Sequence, residues 1–265
     1  MGTVRLAACA SLRDKVSPEE WALRVDLAAC YRLMAHYGMT DLVYNHITAR
    51  VPDGQDHILI NPYGFHYEEI TASSLYKIDL EGNVILQPDT DYGVNHAGYI
   101  IHSAVHGGRE DAACVIHTHT RASMAVSAMK CGLLPISQTS MRFYDRMGYH
   151  DFEGPAVNAE ERARLVTDLG RHDAMMLRNH GTLVLGRSVA EAFSLAYFLE
   201  MACKAQVDAM SSGADLIIPE MAIAEQTAET MAPRDGNQIG QQVIGEMEWP
   251  AMLRLLDRRD PSYAQ

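Results

Sequence analysis

Apolar and polar positions alternate with two different periods along this chain, and the changes of period mark the elements. Ser17-Pro18-Glu19-Glu20 offers a capping serine, a proline at the first helical position and a glutamate spaced to close a capping box. Trp21, Leu23, Val25, Leu27, Ala28, Tyr31 and Leu33 then form a broad apolar stripe that Gly38 ends. Residues 42–51 and 57–61 are short, alternating and rich in β-branched side chains, with Pro52-Asp53-Gly54 between them, which predicts a hairpin. A strand is predicted over Val84 to Leu86. From Gly93 to His106 the spacing becomes helical, with Ala97, Ile100, Ile101 and Val105 on one side. Residues 112–119 read as a strand, and Arg121 to Lys130 as a helix. Asn158 with Glu161 and Ser188 with Glu191 form two more capping boxes, each opening a long helix. Between those helices lie two strand-like runs, Ala174–Leu177 and Thr182–Leu185, joined through Arg178-Asn179-His180-Gly181. Hairpins mixed with helices predict a layered α/β domain. The chain divides into an arm over 1–16, a domain over 17–225 and a tail over 226–265. The tail ends in an amphipathic piece around Trp249–Leu256 and is expected to pack on the domain or on a neighbouring subunit.

Composition narrows the function classes. The chain has 265 residues, 48% hydrophobic and 21% charged, so a sizeable core is possible. Its 22 basic and 34 acidic residues leave a net charge of −12, which argues against a nucleic-acid partner. No apolar run approaches the roughly 20 residues of a membrane helix, and the short LAACA segment near the start is broken by Arg13, Asp14 and Lys15. Neither a membrane partner nor a secretory leader is expected. Five scattered cysteines without a CxxC read as reduced thiols of a cytoplasmic protein.

Three of the 12 histidines are placed unusually. His117 and His119 are two apart in a strand, so both rings leave one face, while Ile116 and Thr118 point into packing. Such a pair either chelates a divalent metal or consists of half-buried rings bonded to carbonyls and solvent. His180 stands before Gly181, where a glycine lets the backbone turn and frees the ring to face a cleft. Three imidazoles with an open position are the ligand set of a catalytic metal, although spacing alone does not join His180 to the pair. His102 and His106, four apart, share a helix face.

Five ordered segments resemble the class II aldolase and adducin head domain family. They are Tyr44-Asn45-His46-Ile47-Thr48-Ala49-Arg50; Ile60-Asn61-Pro62-Tyr63-Gly64 with Glu68-Glu69-Ile70-Thr71; His102-Ser103-Ala104-Val105-His106; Val115-Ile116-His117-Thr118-His119-Thr120; and Leu177-Arg178-Asn179-His180-Gly181. The resemblance runs from about residue 20 to 225. It implies a three-layer α/β/α fold with a central mixed or antiparallel sheet. It also implies a homotetramer with sites at subunit interfaces, and a metal held by His117, His119 and His180. Zinc is the first expectation for that metal, with manganese or iron as alternatives. The phosphosugar aldolases of the family carry a glutamate where Gly98 stands here; their paired serines become His96 and Ala97, and the threonine of their phosphate loop becomes Tyr63. These departures argue against a phosphorylated sugar. The wording of the motifs is nearer the adducin branch, whose cytoskeletal members lack the metal histidines that this chain keeps.

A three-histidine metal with an open position polarises a carbonyl and stabilises an enolate. The expected function is therefore a metal-dependent lyase, by aldol cleavage or decarboxylation, acting on a small unphosphorylated oxo or hydroxy acid. With glycine at position 98, the acid/base candidates are His96, Tyr144 and Asp145. Arg142, in the same polar loop as Tyr144 and Asp145, offers a fork for a carboxylate, and Asn45 follows a pocket asparagine of the family. Glu69 and Glu200 read as solvated or helix-pairing charges. Two other classes remain open on this fold: a non-haem iron oxygenase and a non-catalytic adducin-like interaction protein.

Overall fold

The computed structural model describes residues 11–154, 159–231 and 244–265, and of His96, Ala97 and Ala159 the backbone alone. Eight strands form one sheet: β1 (His46–Arg50), β2 (His57–Ile60), β3 (Tyr76–Asp79), β4 (Val84–Leu86), β5 (Cys114–Thr118), β6 (Met147–His150), β7 (Ala174–Leu177) and β8 (Gly181–Gly186), in the order β4-β3-β2-β1-β5-β8-β7-β6. All neighbours are antiparallel except the pair β6–β7, so the sheet is mixed as the resemblance implied. The helices are α1 (Pro18–His36), α2 (His96–Gly108), α3 (Arg121–Ser127), α4 (Gln138–Met141), α5 (Ala159–Leu169), α6 (Val189–Ser211), α7 (Met221–Met231) and α8 (Glu248–Arg259).

Strand alternation sends two sets of side chains to two helical layers. On one face Ile47, Ala49, Cys114, Ile116, Met176 and Val184 join Leu27, Leu33, Phe193 and Leu199 from α1 and α6. On the other, Val115, Met175, Leu177, Leu183 and Leu185 join Ile101 and Val105 of α2 and Leu165 and Leu169 of α5. Each fully buried leucine or isoleucine contributes about 1.5–3 kcal/mol, so this alternation stabilises the three layers and locks the strand register.

Local signals were mostly realised, with instructive exceptions. Ser17 caps α1 by accepting from the Glu20 amide at 3.1 Å. Glu20 does not close the box; its carboxylate turns inward to the buried Arg24 at 2.9 Å and to Lys77 at 3.0 Å. Ser188 likewise caps α6, while Glu191 accepts from the Arg187 amide. Asn158 lies outside the described residues. The expected strands include neither β3 nor β6, although β3 alternates buried and half-buried positions. Gly181 does not supply the turn before β8: Asn179 takes the left-handed backbone, φ 55°. A Cβ at 181 would instead strike the Thr118 carbonyl, so glycine is required there for close approach of β8 to β5. The described tail packs on α1 of its own chain, where Trp249 donates to Asp26 at 3.0 Å and Arg32 meets Asp260 at 3.3 Å.

Candidate metal centre

Cross-strand pairing assembles the site. β1 and β5 align His46 with His117, and β5 and β8 align His117 with Leu183, so the β7–β8 turn carrying His180 reaches the end of β5. His119 is the first residue past β5, and the next residue, Thr120, caps α3. His117, His119 and His180 come together: Nε2 of His119 lies 2.7 Å from Nε2 of His117 and 2.9 Å from Nε2 of His180.

The outer nitrogens show what the inner ones are for. His117 Nδ1 donates to the Thr182 carbonyl at 2.9 Å, and His119 Nδ1 donates to the Asp41 carboxylate at 3.1 Å. With the proton on Nδ1, each Nε2 presents a bare lone pair. Two lone pairs facing at 2.7 Å repel unless a cation lies between them. Protonation is the unfavourable answer: burial, then the neighbouring rings, holds His117 well below its ordinary value and brings His180 down to about 4. Imidazoles that present Nε2 lone pairs to one point, two of them with the outer nitrogen tied back, are the donor set that zinc or another first-row metal takes. The three residues fit such an ion.

Against the triad stand groups that sequence reasoning passed over. His46 is buried on the α2 side, where its Nε2 accepts from Asn95 at 3.0 Å. Its ring occupies the space a side chain at position 98 would need; a Cβ on Gly98 would fall inside the imidazole. Glycine on the helix and histidine on the strand are thus one steric unit. Farther along β1, Thr48 bonds His102 Nδ1 and His106 Nε2 at 2.8 Å each, and His106 Nδ1 donates to the Ala112 carbonyl at 3.0 Å. The second missed residue is Asp41, in the loop between α1 and β1. No local pattern marks it, because its partner is 78 positions away.

The other expected site residues are dispersed. His96 opens α2, and its side chain lies outside the described residues. Arg142, Tyr144 and Asp145 do not reach the imidazoles within this chain. They line a separate cavity of about 330 Å³ with Arg171, Leu195 and Glu225. Arg142 is fixed there, donating to the Met231 carbonyl at 2.6 Å with its guanidinium 4.6 Å from the Phe198 ring centroid. The reason is topological: α4 packs on α6 and α7, whereas the triad sits where central strand β5 ends beside the β7–β8 turn. Asn45 is fully buried, and neither polar atom of its side chain has a protein partner among the described residues. Glu69 caps the His66 amide, and Glu200 is held by Thr120 and Lys204.

Residues 25–207 match the family model described as Class II Aldolase and Adducin N-terminal domain. A Caulobacter vibrioides protein, named only provisionally as an aldolase class 2 protein, is 51% identical over 256 residues, covering 96% of each chain. Mouse alpha-adducin is 42% identical over 245 residues, 90% of this chain but 33% of the adducin. The crystal structure of an aldolase II superfamily protein from Pseudomonas syringae superposes with a TM-score of 0.90 at 46% identity, covering 97% of this chain and 100% of that one.

Proposed function

The chain belongs to the class II aldolase and adducin N-terminal domain family, and on that premise we propose that it is a metal-dependent lyase for a small, unphosphorylated oxo or hydroxy acid, acting by aldol cleavage or decarboxylation. The observation that carries this reading is the convergence of three Nε2 atoms, with the outer nitrogens of His117 and His119 tied back, so that a cation between them would relieve the facing lone pairs. A divalent metal there, zinc first and manganese or iron next, supplies an electrophile for a substrate carbonyl or carboxylate oxygen. The chain's own groups do the rest. His117, His119 and His180 hold the ion, and Thr182 and Asp41 keep their partner rings in the tautomer that does so.

Two features support an unphosphorylated acid. Residues 41–48, 61–66 and 91–95, the stretches carrying Asp41, His46, Tyr63 and Asn95, contain no lysine or arginine to neutralise a phosphate dianion. Among the described residues no carboxylate joins the three imidazoles directly, so a divalent ion held there would stay net positive toward an anionic substrate.

For proton transfer, His46 is better placed than Tyr144 and Asp145, which line the other cavity in this chain. Asn95 donates to His46 Nε2, which leaves the proton on Nδ1, and that buried Nδ1–H has no protein acceptor among the described residues. Homotetrameric assembly and a cytoplasmic setting complete the proposal.

The test is elemental analysis of protein purified without chelator, followed by a panel of unphosphorylated β-hydroxy and β-keto acids. Stoichiometric zinc or manganese with release of a carbonyl product or carbon dioxide supports the reading. Iron with oxygen consumption points to the oxygenase alternative, and metal-free protein that takes up no added ion points to an adducin-like interaction role.

A further inference from the structure

Among the described residues no carboxylate stands with the three imidazoles, yet one is joined to them at one remove. Asp41 Oδ2 accepts from His119 Nδ1 at 3.1 Å. His119 is the hub of the triad, because its Nε2 is the one that approaches both His117 and His180. The loop that delivers Asp41 is shaped for the task. The Asp41 carbonyl accepts from the Tyr44 amide at 2.9 Å, and Leu42 between them holds a left-handed backbone, φ 47°. That conformation costs energy for a branched side chain, and Leu42 gains little from packing since it is 65% exposed. The turn strained at this exposed leucine sets the preceding carboxylate on the ring.

We propose that Asp41 is the positioning residue of the metal centre. It fixes His119 with Nε2 inward, and it supplies through that ring the negative charge that no direct carboxylate ligand supplies. The inference rests on the metal-dependent reading above. Thr182 does the geometric half of this for His117 with a neutral carbonyl; Asp41 adds charge, which raises the basicity of the ligand nitrogen. The two halves separate by substitution. Asparagine at 41 keeps an oxygen for Nδ1–H and removes the charge. Alanine removes both.

The experiment uses the full chain and zinc alone as the probe, competed against a chromophoric chelator. Wild type, Asp41→Asn and Asp41→Ala are compared, with the visible cobalt(II) spectrum as a second readout. The expected order is wild type tightest, Asp41→Asn weaker, and Asp41→Ala weaker by about 10–100-fold, with altered cobalt bands and an unchanged thermal midpoint for the metal-free protein. The Asp41 side chain is 40% exposed, so the metal-free fold is expected to tolerate its substitution. The near-isosteric asparagine variant covers the case in which the alanine variant misfolds. If wild type binds zinc and both variants bind it within twofold, Asp41 has no such role and the metal-dependent reading survives. If wild type itself takes up neither zinc nor cobalt, the metal-dependent reading fails and this inference with it.

Discussion

Two groups of histidines lie on the same face of the same sheet and differ in one respect. In the inner group the protons run in a closed order: His106 Nδ1 donates to Ala112, Thr48 donates to His106 Nε2, and His102 Nδ1 donates to Thr48. A hydroxyl, which both donates and accepts, stands where two rings meet. In the outer group, His117, His119 and His180, nothing of the kind stands between the nitrogens. The first group is a strut tied together by that hydroxyl, with His102 Nε2 alone left without a partner among the described residues. In the second, the facing lone pairs leave a place that a cation would fill. The contrast lies where the rings meet: a shared hydroxyl separates the nitrogens of the first group, and no described protein group separates those of the second.

The sharpest way to break this contrast is to cut the outer group. His117→Ala or His180→Ala is expected to abolish stoichiometric metal in elemental analysis while the circular dichroism of the fold persists. A variant with its full metal complement would remove the basis of the contrast. Acid comes next. His46 and His180 are each lowered from 6.5 to about 4 in the folded chain, chiefly by burial. The unfolded chain therefore binds more protons than the folded one between those values. Stability of the metal-free protein should be complete above about pH 6.5 and decline as pH falls toward 4. Chemical denaturation across that window checks the sign, and a flat profile contradicts it.

The inner group is tested by Thr48→Val, which leaves two ring nitrogens unsatisfied in the core. A loss of about 2–4 kcal/mol is expected with metal content unchanged; loss of metal instead would mean that the two groups act as one. Gly98→Ala pushes a methyl group into the His46 ring and should cost about 1–3 kcal/mol, part of which His46→Ala in the same chain restores. The smallest effect belongs to the separate cavity. Tyr144→Phe is expected to leave metal affinity unchanged by chelator competition, since Tyr144 lines the space beside Arg171 and Glu225.

Much of this was legible in the chain before any fold was known. The β1–β2 hairpin, α2, β5 and the β7–β8 pair follow from local period and turn residues, which act over a few positions. His117 and His119 also announced themselves, because a strand puts alternate residues on one face. β3 and β6 were missed: Tyr76-Lys77-Ile78-Asp79 alternates, but over four residues only, and Met147-Gly148-Tyr149-His150 shows no such period. Arg142, Tyr144 and Asp145 were drawn toward the site by the polar character of their loop. Chemistry of that kind says what a side chain is able to do and nothing about which cavity it faces.

Sequence by itself determined the layered class, the family and the pair of rings on β5, because these depend on interactions between near neighbours and on ordered motifs. Only the tertiary structure brought His180 to that pair, laid His46 over Gly98 and tied Asp41 to His119. Each of those contacts joins residues 49 or more positions apart, and strand register, which no local pattern encodes, decides which distant side chains share a face.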